Sequence, residues 1–361
     1  MDRDRSRYRS KERRNNMKIK VLQIGAGSMG TRRIRDLTAR ADVEVALLEM
    51  RTDRREKASN QFGIPCFDCM ESALAWGAVA ISISTPPQSH SQYVKIALDR
   101  GLHFFCEAEL FPFRYREVER KTAEKQTVAA PSCTLQFLPL CKELLRIVRE
   151  ELGELFAYTF CLSIDIASWH PDEGTEYYAR NRSTNGTREM VTFELIGLTD
   201  LFSEPQGVTG IVRTGGELGP NYEDSWSLQM RLKNGGIGQL VVLGASPTVT
   251  RKGVAVGSNG TIEFDLLTGD IHRRLPLLGI HDTRNFGSLS DLLESVYKEE
   301  IDTYIEAIKG TDQWPHDFRK ANVICGTLAA AEKSSVTGKV EKVNPDFLPA
   351  ELPDQYEDES E

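Results

Sequence analysis

Ile19-Lys-Val-Leu-Gln-Ile24-Gly25-Ala-Gly27-Ser-Met-Gly30 decides the fold. An apolar run ends in three glycines spaced G-x-G-x-x-G, and a helix-like stretch follows. Each glycine has a mechanical task. Gly25 lets the chain turn tightly off a buried strand. Gly27 carries no side chain, so a pyrophosphate can approach the backbone. Gly30 lets the next helix pack close to the strand. The backbone N–H groups and positive dipole end of that helix then face an anion. Glu49 stands 19 residues beyond Gly30, after a second apolar run, Val43–Leu48. A carboxylate there is placed to hold the two ribose hydroxyls of an adenosine. The stretch reads as a dinucleotide-binding βαβ unit. Glu49 favours NAD, because the 2′-phosphate of NADP would meet a like charge. Arg51, Arg54 and Arg55 close by keep NADP open as the alternative.

The 361 residues suggest two domains, and 40% hydrophobic with 27% charged content is that of an ordinary globular protein. No apolar run approaches the roughly 20 residues that span a bilayer. Seven cysteines are scattered without a framework. Cys66 and Cys69 have CxxC spacing but no second pair, so reduced cytoplasmic thiols are expected and no metal. The net charge of −8 hides an asymmetry. Residues 1–16 carry seven basic and three acidic side chains, a net of +4, which leaves −12 on the rest. This segment lacks the apolar core of a secretory signal. It is expected to be a disordered basic leader, or sequence upstream of a start at Met17. The acidic main body argues against a nucleic-acid partner. An acidic tail is expected over 346–361.

From Met17 to about Ala130, apolar runs at 19–24, 43–48, 79–84, 102–106 and 127–130 alternate with helical patterns. That grammar predicts a doubly wound parallel sheet, with ligands at the carboxyl ends of its strands. The loops after residues 24, 49, 84 and 106 should surround one crevice. Beyond about residue 153 the period changes to two. Phe156, Tyr158, Phe160, Leu162, Ile164 and Ile166 are apolar on alternate positions, as are Trp226, Leu228, Met230 and Leu232. This predicts half-buried antiparallel strands. Val254 and Val256 lead to a hairpin signal at Asn259-Gly260, and Ile262 and Phe264 continue beyond it. Ile301, Tyr304, Ile305 and Ile308 mark a helix, as do Ala321, Ile324, Leu328 and Ala331. The expected architecture is α/β: a Rossmann-type domain over 17–135, then an α+β domain over 136–345 with a large, mostly antiparallel open sheet.

The chain resembles the glucose–fructose oxidoreductase/inositol dehydrogenase family (Gfo/Idh/MocA) from Met17 to about Val343. The resemblance rests on the Gly25–Gly30 fingerprint, on Ser84-Thr-Pro-Pro-Gln-Ser-His90, and on Cys106-Glu107. It rests also on Trp169-His-Pro171, Gly257-Ser-Asn-Gly260 and Ala331-Glu-Lys-Ser-Ser335 followed by Gly338-Lys339. It implies a Rossmann domain, a homodimer or homotetramer built on the open sheet, and hydride transfer at a carbinol carbon of a sugar, cyclitol or nucleotide sugar. Gly25, Gly27, Ser28, Met29, Gly30, Glu49, Met50, Arg51, Ser84, Thr85, Pro86, His90, Glu107 and Ala108 are the expected cofactor residues. Thr85-Pro86-Pro87 ends a strand, since proline cannot continue a ladder. The family places that turn beside the nicotinamide ribose.

The chain also departs from the family. The catalytic lysine of its EKP triplet is Ala108 here, in Glu107-Ala108-Glu109. The helix that carries an Asp and a His in the family matches residues 188–200. Aligned on Asp200, the two positions are Phe193 and Gly197. Aligned on Glu194, the histidine becomes Phe193. Both registers lose the imidazole. A positioned base typically contributes 10²–10⁴-fold to removal of a hydroxyl proton. The candidate replacements are Glu194, set among apolar residues, and His170. Trp169, Tyr177, Tyr178, Arg180 and Arg182 are the candidate substrate contacts. The first reading is an NAD(P)-dependent dehydrogenase with a non-standard proton carrier. The alternatives are a catalytically silent NAD-binding sensor or assembly partner, and an enzyme whose tightly held NAD serves redox-neutral lyase or hydrolase chemistry.

Overall fold

The computed structural model describes residues 18–168, 184–214 and 222–347. The first unit alternates strand and helix. Its elements are β1 (Ile19–Ile24), α1 (Ser28–Thr38), β2 (Val43–Leu48), α2 (Thr52–Phe62), β3 (Cys66–Phe67) and α3 (Met70–Ala75). Then come β4 (Ala80–Ile83), α4 (His90–Arg100), β5 (His103–Cys106), α5 (Tyr115–Lys125) and β6 (Ala129–Pro131). The strands form a parallel sheet in the order β3-β2-β1-β4-β5-β6. Val21, Leu22 and Gln23 in its centre have no exposed surface, as a sheet covered on both faces requires. The order reverses between β1 and β4, so a ligand crevice opens at the carboxyl ends of those two strands.

The second unit follows α6 (Pro139–Glu150), whose buried Leu140, Cys141, Leu144 and Ile147 recur at helical spacing. It comprises β7 (Leu155–Asp165), α7 (Gly186–Leu201), β8 (Pro205–Thr214), β9 (Glu223–Leu232), β10 (Ile237–Leu243), β11 (Ala245–Gly257), β12 (Gly260–Asp265), β13 (Asp270–Leu275) and β14 (Ile280–Asn285). Two helices, α8 (Leu289–Lys309) and α9 (Phe318–Thr337), and the short β15 (Glu341–Lys342) complete it. The strands make one sheet in the order β14-β13-β12-β11-β7-β10-β9-β8-β15, antiparallel at every pair except β7 with β10. One face carries α6, α7 and α9 over a single apolar core.

The period-two reading holds for β9 but slips in β7 and β11. Tyr158, Phe160 and Leu162 point inward, whereas Phe156 is 51% exposed. The register of β7 with β11 shifts between Val256 and Gly257, so Leu155 takes the inward place instead. On β11 the buried residues are Arg251, Gly253, Ala255 and Gly257, and Val256 faces out. The outer face therefore exposes Ile211, Ile237 and Val256.

Helix α8 returns to the first sheet. Its Ile301, Tyr304 and Ile305 pack with Val21, Ala80 and Phe105, and the Tyr304 hydroxyl donates to the Ile81 carbonyl at 3.1 Å. The first sheet thus owes one of its helical covers to the second half of the chain. Among the described residues no helix is long and apolar enough to cross a membrane.

Candidate active site

A crevice of about 940 Å³ opens at the predicted place. Gly25 turns off β1 at φ +88°, and a Cβ there would lie 2.6 Å from the Ser84 carbonyl oxygen. Gly30 sits behind this turn, where a Cβ would meet the Gly25 oxygen at 2.1 Å. Helix α1 begins after Gly27 with no side-chain cap and no acidic residue in its first turn. Its leading N–H groups are therefore left for a ligand in the crevice. The nearest atom to a Cβ on Gly27 would be Arg54 Nη1, at 3.6 Å. An uncapped helix start, an open glycine and a flanking guanidinium fit a pyrophosphate. Every cofactor residue expected from the sequence lines the crevice except Gly30, which shapes it from behind.

Glu49 reaches across from the end of β2. Its Oε2 accepts from the Ala26 N–H at 2.8 Å and its Oε1 from the Arg51 N–H at 2.9 Å. The carboxylate is 8% exposed and borders the crevice, which suits ribose hydroxyls. Two of the neighbouring arginines are turned to other work. Arg51 pairs with Asp53 at 2.7 Å, and Arg55 donates to the Glu49 carbonyl at 2.9 Å.

At the inner end, Glu107 accepts from fully buried Arg33 at 2.8 and 3.2 Å and from Ser84 Oγ at 3.1 Å. Arg33 also binds Glu300 on α8 at 2.7 Å, and Glu300 accepts from Ser132 Oγ, Cys133 N and Thr134 Oγ1. Burial works against the Arg33 charge, but the two carboxylates outweigh it and hold the guanidinium protonated. This network joins α1, β5 and α8 beneath the crevice. Ala108 lines the same end and offers no proton-carrying group. His90 borders the crevice but its ring is only 1% exposed. Nδ1 lies 3.0 Å from Glu109 Oε1 and Nε2 lies 2.7 Å from the Thr85 carbonyl. Burial lowers its pKa and the Glu109 charge raises it, with a net rise.

The far wall comes from the second unit. On α7 the crevice side shows Glu189, Met190 and Phe193, and the sheet adds Leu162, Ile164, Val249 and Arg251. Glu194 is not on that side. It is 1% exposed and lies 2.6 Å from Arg251 Nη2. Burial raises its pKa and Arg251 lowers it, leaving it above the ordinary carboxylate value. Arg188, the partner considered from sequence, pairs with Glu332 instead. Of the family-matched positions 193, 197 and 200, it is residue 193 that lines the crevice. Gly197 and Asp200 line a second cavity of about 670 Å³ on the other side, where Asp200 meets Lys320 at 2.8 Å. His170, Trp169, Tyr177, Tyr178, Arg180 and Arg182 lie outside the described residues. Arg251, Glu189 and Tyr297 also line the crevice, and the sequence reading does not single them out. For Arg251 a signal existed: a charged side chain among the small inward residues of β11.

Residues 19–128 match the family model described as oxidoreductase family, NAD-binding Rossmann fold (GFO_IDH_MocA). No curated protein matches the chain in sequence. Solved structures match across both units. Levoglucosan dehydrogenase in complex with NADH and L-sorbose has a TM-score of 0.78 at 14% identity, covering 91% of this chain and 99% of that one. GenD2 from gentamicin A biosynthesis, in complex with NAD, has a TM-score of 0.74 at 18% identity, covering 91% and 97%. A myo-inositol dehydrogenase from Corynebacterium glutamicum has a TM-score of 0.72 at 17% identity, covering 91% and 100%. At these identities the likeness is one of fold.

Proposed function

We propose that this chain, whose N-terminal domain is of the Gfo/Idh/MocA oxidoreductase type, transfers hydride between NAD(P) and a carbinol carbon of a small sugar, cyclitol or nucleotide sugar. One observation carries the reading. A single crevice runs from the glycine turn and Glu49 to a wall built by β7, β11 and α7. It joins a dinucleotide cradle to a compartment of substrate size. When bound, the cofactor supplies the hydride acceptor or donor. The start of α1 would hold its pyrophosphate and Glu49 its adenosine ribose. Thr85, Pro86, Glu107 and Ala108 would frame its nicotinamide end.

The proton must go elsewhere than the family lysine. Ala108 cannot take it, and Glu194 is turned away toward Arg251. We assign proton transfer to Glu189, the carboxylate on the crevice side of α7, with His170 as the alternative carrier. Arg251 orients a substrate oxygen, and Glu194 positions Arg251. We propose the outer face of the second sheet as the contact of the expected homodimer or homotetramer, on the support of the exposed Ile211, Ile237 and Val256. Light scattering of the full chain reads its state directly.

The test of activity is incubation with NAD⁺ and NADP⁺ against a panel of sugars, cyclitols and nucleotide sugars, read at the reduced-nicotinamide absorbance. A turned-over substrate, with the rate lost in Glu189→Gln, supports the reading. A second reading is favoured by Ala108 and by the apolar lining at Leu162, Ile164, Met190 and Phe193. On that reading the protein binds cofactor without turnover. Tight NAD(H) binding with a silent panel separates it from the first.

A further inference from the structure

Three donors of different chemistry meet where His90 borders the crevice, and none of the three was given a part in hydride or proton transfer above. His90 opens α4, Cys106 ends β5, and Glu109 follows three residues later. They are 1%, 0% and 3% exposed. Cys106 Sγ lies 2.8 Å from Glu109 Oε1, the oxygen that also faces His90 Nδ1 at 3.0 Å. The ligand atoms of all three fall within 4.8 Å of one another. Glu109 Oε2 is buried with no hydrogen-bond partner. A carbonyl only accepts, so His90 Nε2, 2.7 Å from the Thr85 oxygen, carries a proton. That bond leaves the Nδ1 lone pair aimed at the Glu109 carboxylate. Two lone pairs at 3.0 Å repel, so a cation belongs between them, either a proton or a metal ion.

We infer that His90, Cys106 and Glu109 form a binding site for a divalent transition-metal ion, zinc by the chemistry of its donors. An imidazole nitrogen, a thiolate and a carboxylate oxygen are zinc ligands. The bond from the other ring nitrogen to a backbone carbonyl is the orienting contact that metal-bound histidines make. Charge is conserved in the exchange. Zn²⁺ displaces the proton between His90 and Glu109 and the thiol proton of Cys106. Two positive charges leave and two arrive, so the buried site stays neutral and its low dielectric does not oppose loading. Of the three, His90 borders the crevice, and the proposal places its fourth ligand, a water, on that side. The ion ties the turn after β4 to the end of β5 and to the loop beyond it. Those segments frame Thr85 and Ala108. The CxxC pair plays no part, since Cys69 is exposed and its Sγ donates to Ser72. The site does not depend on turnover.

The experiment uses the full chain carrying Cys66→Ser and Cys69→Ser, stripped with a chelator and titrated with Co²⁺. One equivalent is expected to bind, with a near-ultraviolet thiolate-to-cobalt band and intense visible bands of a four-coordinate ion, all removed by one equivalent of Zn²⁺. With two protons released, apparent affinity rises about a hundredfold per pH unit while both ligand sites are protonated. Cys106→Ser should abolish the near-ultraviolet band. Glu109→Gln, nearly isosteric, should weaken binding by at least about tenfold. Circular dichroism establishes which variants fold, and Glu109→Gln alone decides the matter if Cys106→Ser does not. Failure of the folded parent to bind one equivalent, a band that survives Cys106→Ser, or undiminished binding by Glu109→Gln overturns the site and leaves a shared proton in its place.

Discussion

The Glu49 carboxylate and the Ala26 backbone N–H are 2.8 Å apart, so the end of β2 is bonded directly to the glycine turn after β1. One side chain thereby shapes the phosphate loop and borders the place where an adenosine ribose would lie. Glu49→Ser should lose this bond and the like charge that opposes a 2′-phosphate. Hydrogen bonds to charged groups are worth about 1.5–3 kcal/mol. NAD affinity is expected to fall roughly tenfold to a hundredfold, while the NAD to NADP ratio moves toward NADP. Calorimetric titration with both nucleotides measures each.

Gly25→Val places a Cβ against the Ser84 carbonyl at a φ of +88°, where a β-branched residue is strained. The variant should lose nucleotide binding by at least a hundredfold and unfold at lower urea. Gly63→Ala is the matched control. Its φ is also positive, at +65°, but nothing lies within 4 Å of its Cβ. It should keep nucleotide affinity.

Glu189 and Glu194 are five positions apart on one helix and face different neighbours. Glu189→Gln should lower kcat by about 10²–10³-fold with little change in stability, as loss of a proton carrier does. Glu194→Gln should instead lower stability, because it leaves buried Arg251 without its counter-charge. Breaking a buried pair from one side costs about 3–5 kcal/mol. Denaturant melts and initial rates on the two variants read the division of labour. Equal loss of kcat in both, with stability unchanged, would contradict it.

Asp200 gives a pH signature. Burial works to raise its pKa, but His316 and Lys320 outweigh burial and hold it below the usual carboxylate value. A depressed folded-state pKa contributes stability that is complete above the unfolded value, about 3.9, and is lost as pH falls through the folded value. Asp200→Asn should therefore be less stable than the parent at neutral pH, by about 1–3 kcal/mol. The two melting temperatures should converge as pH falls below the unfolded value and through the lower folded one. A gap that stays constant with pH would show that the charge is not the cause.

The first sheet was legible because its information is local. Apolar runs, glycine punctuation and helical spacing lie next to one another between residues 19 and 131. The two-residue β3 was too short to register. In the second sheet, alternation placed β9 correctly but mispositioned Phe156, because a bulge depends on the partner strand and not on the strand's own sequence. The docking of α8 on the first sheet was not legible, since nothing in Ile301, Tyr304 and Ile305 says which sheet they cover. The expected cofactor residues that line the crevice follow from one loop each. The far wall does not, because Arg251, Glu189 and Phe193 meet only through tertiary packing. Glu109 illustrates the same limit. It stands where the family has a proline, and its partner His90 lies 19 positions earlier in the chain.

The central claim is that this crevice holds NAD with its nicotinamide end against Ala108. Energy transfer from protein to bound NADH, titrated on the full chain and on Ala108→Lys, tests it most directly. The account predicts saturable one-site binding to the parent, weaker binding of NADPH, and a changed nicotinamide emission in Ala108→Lys. No saturable NADH binding to the folded parent would contradict it.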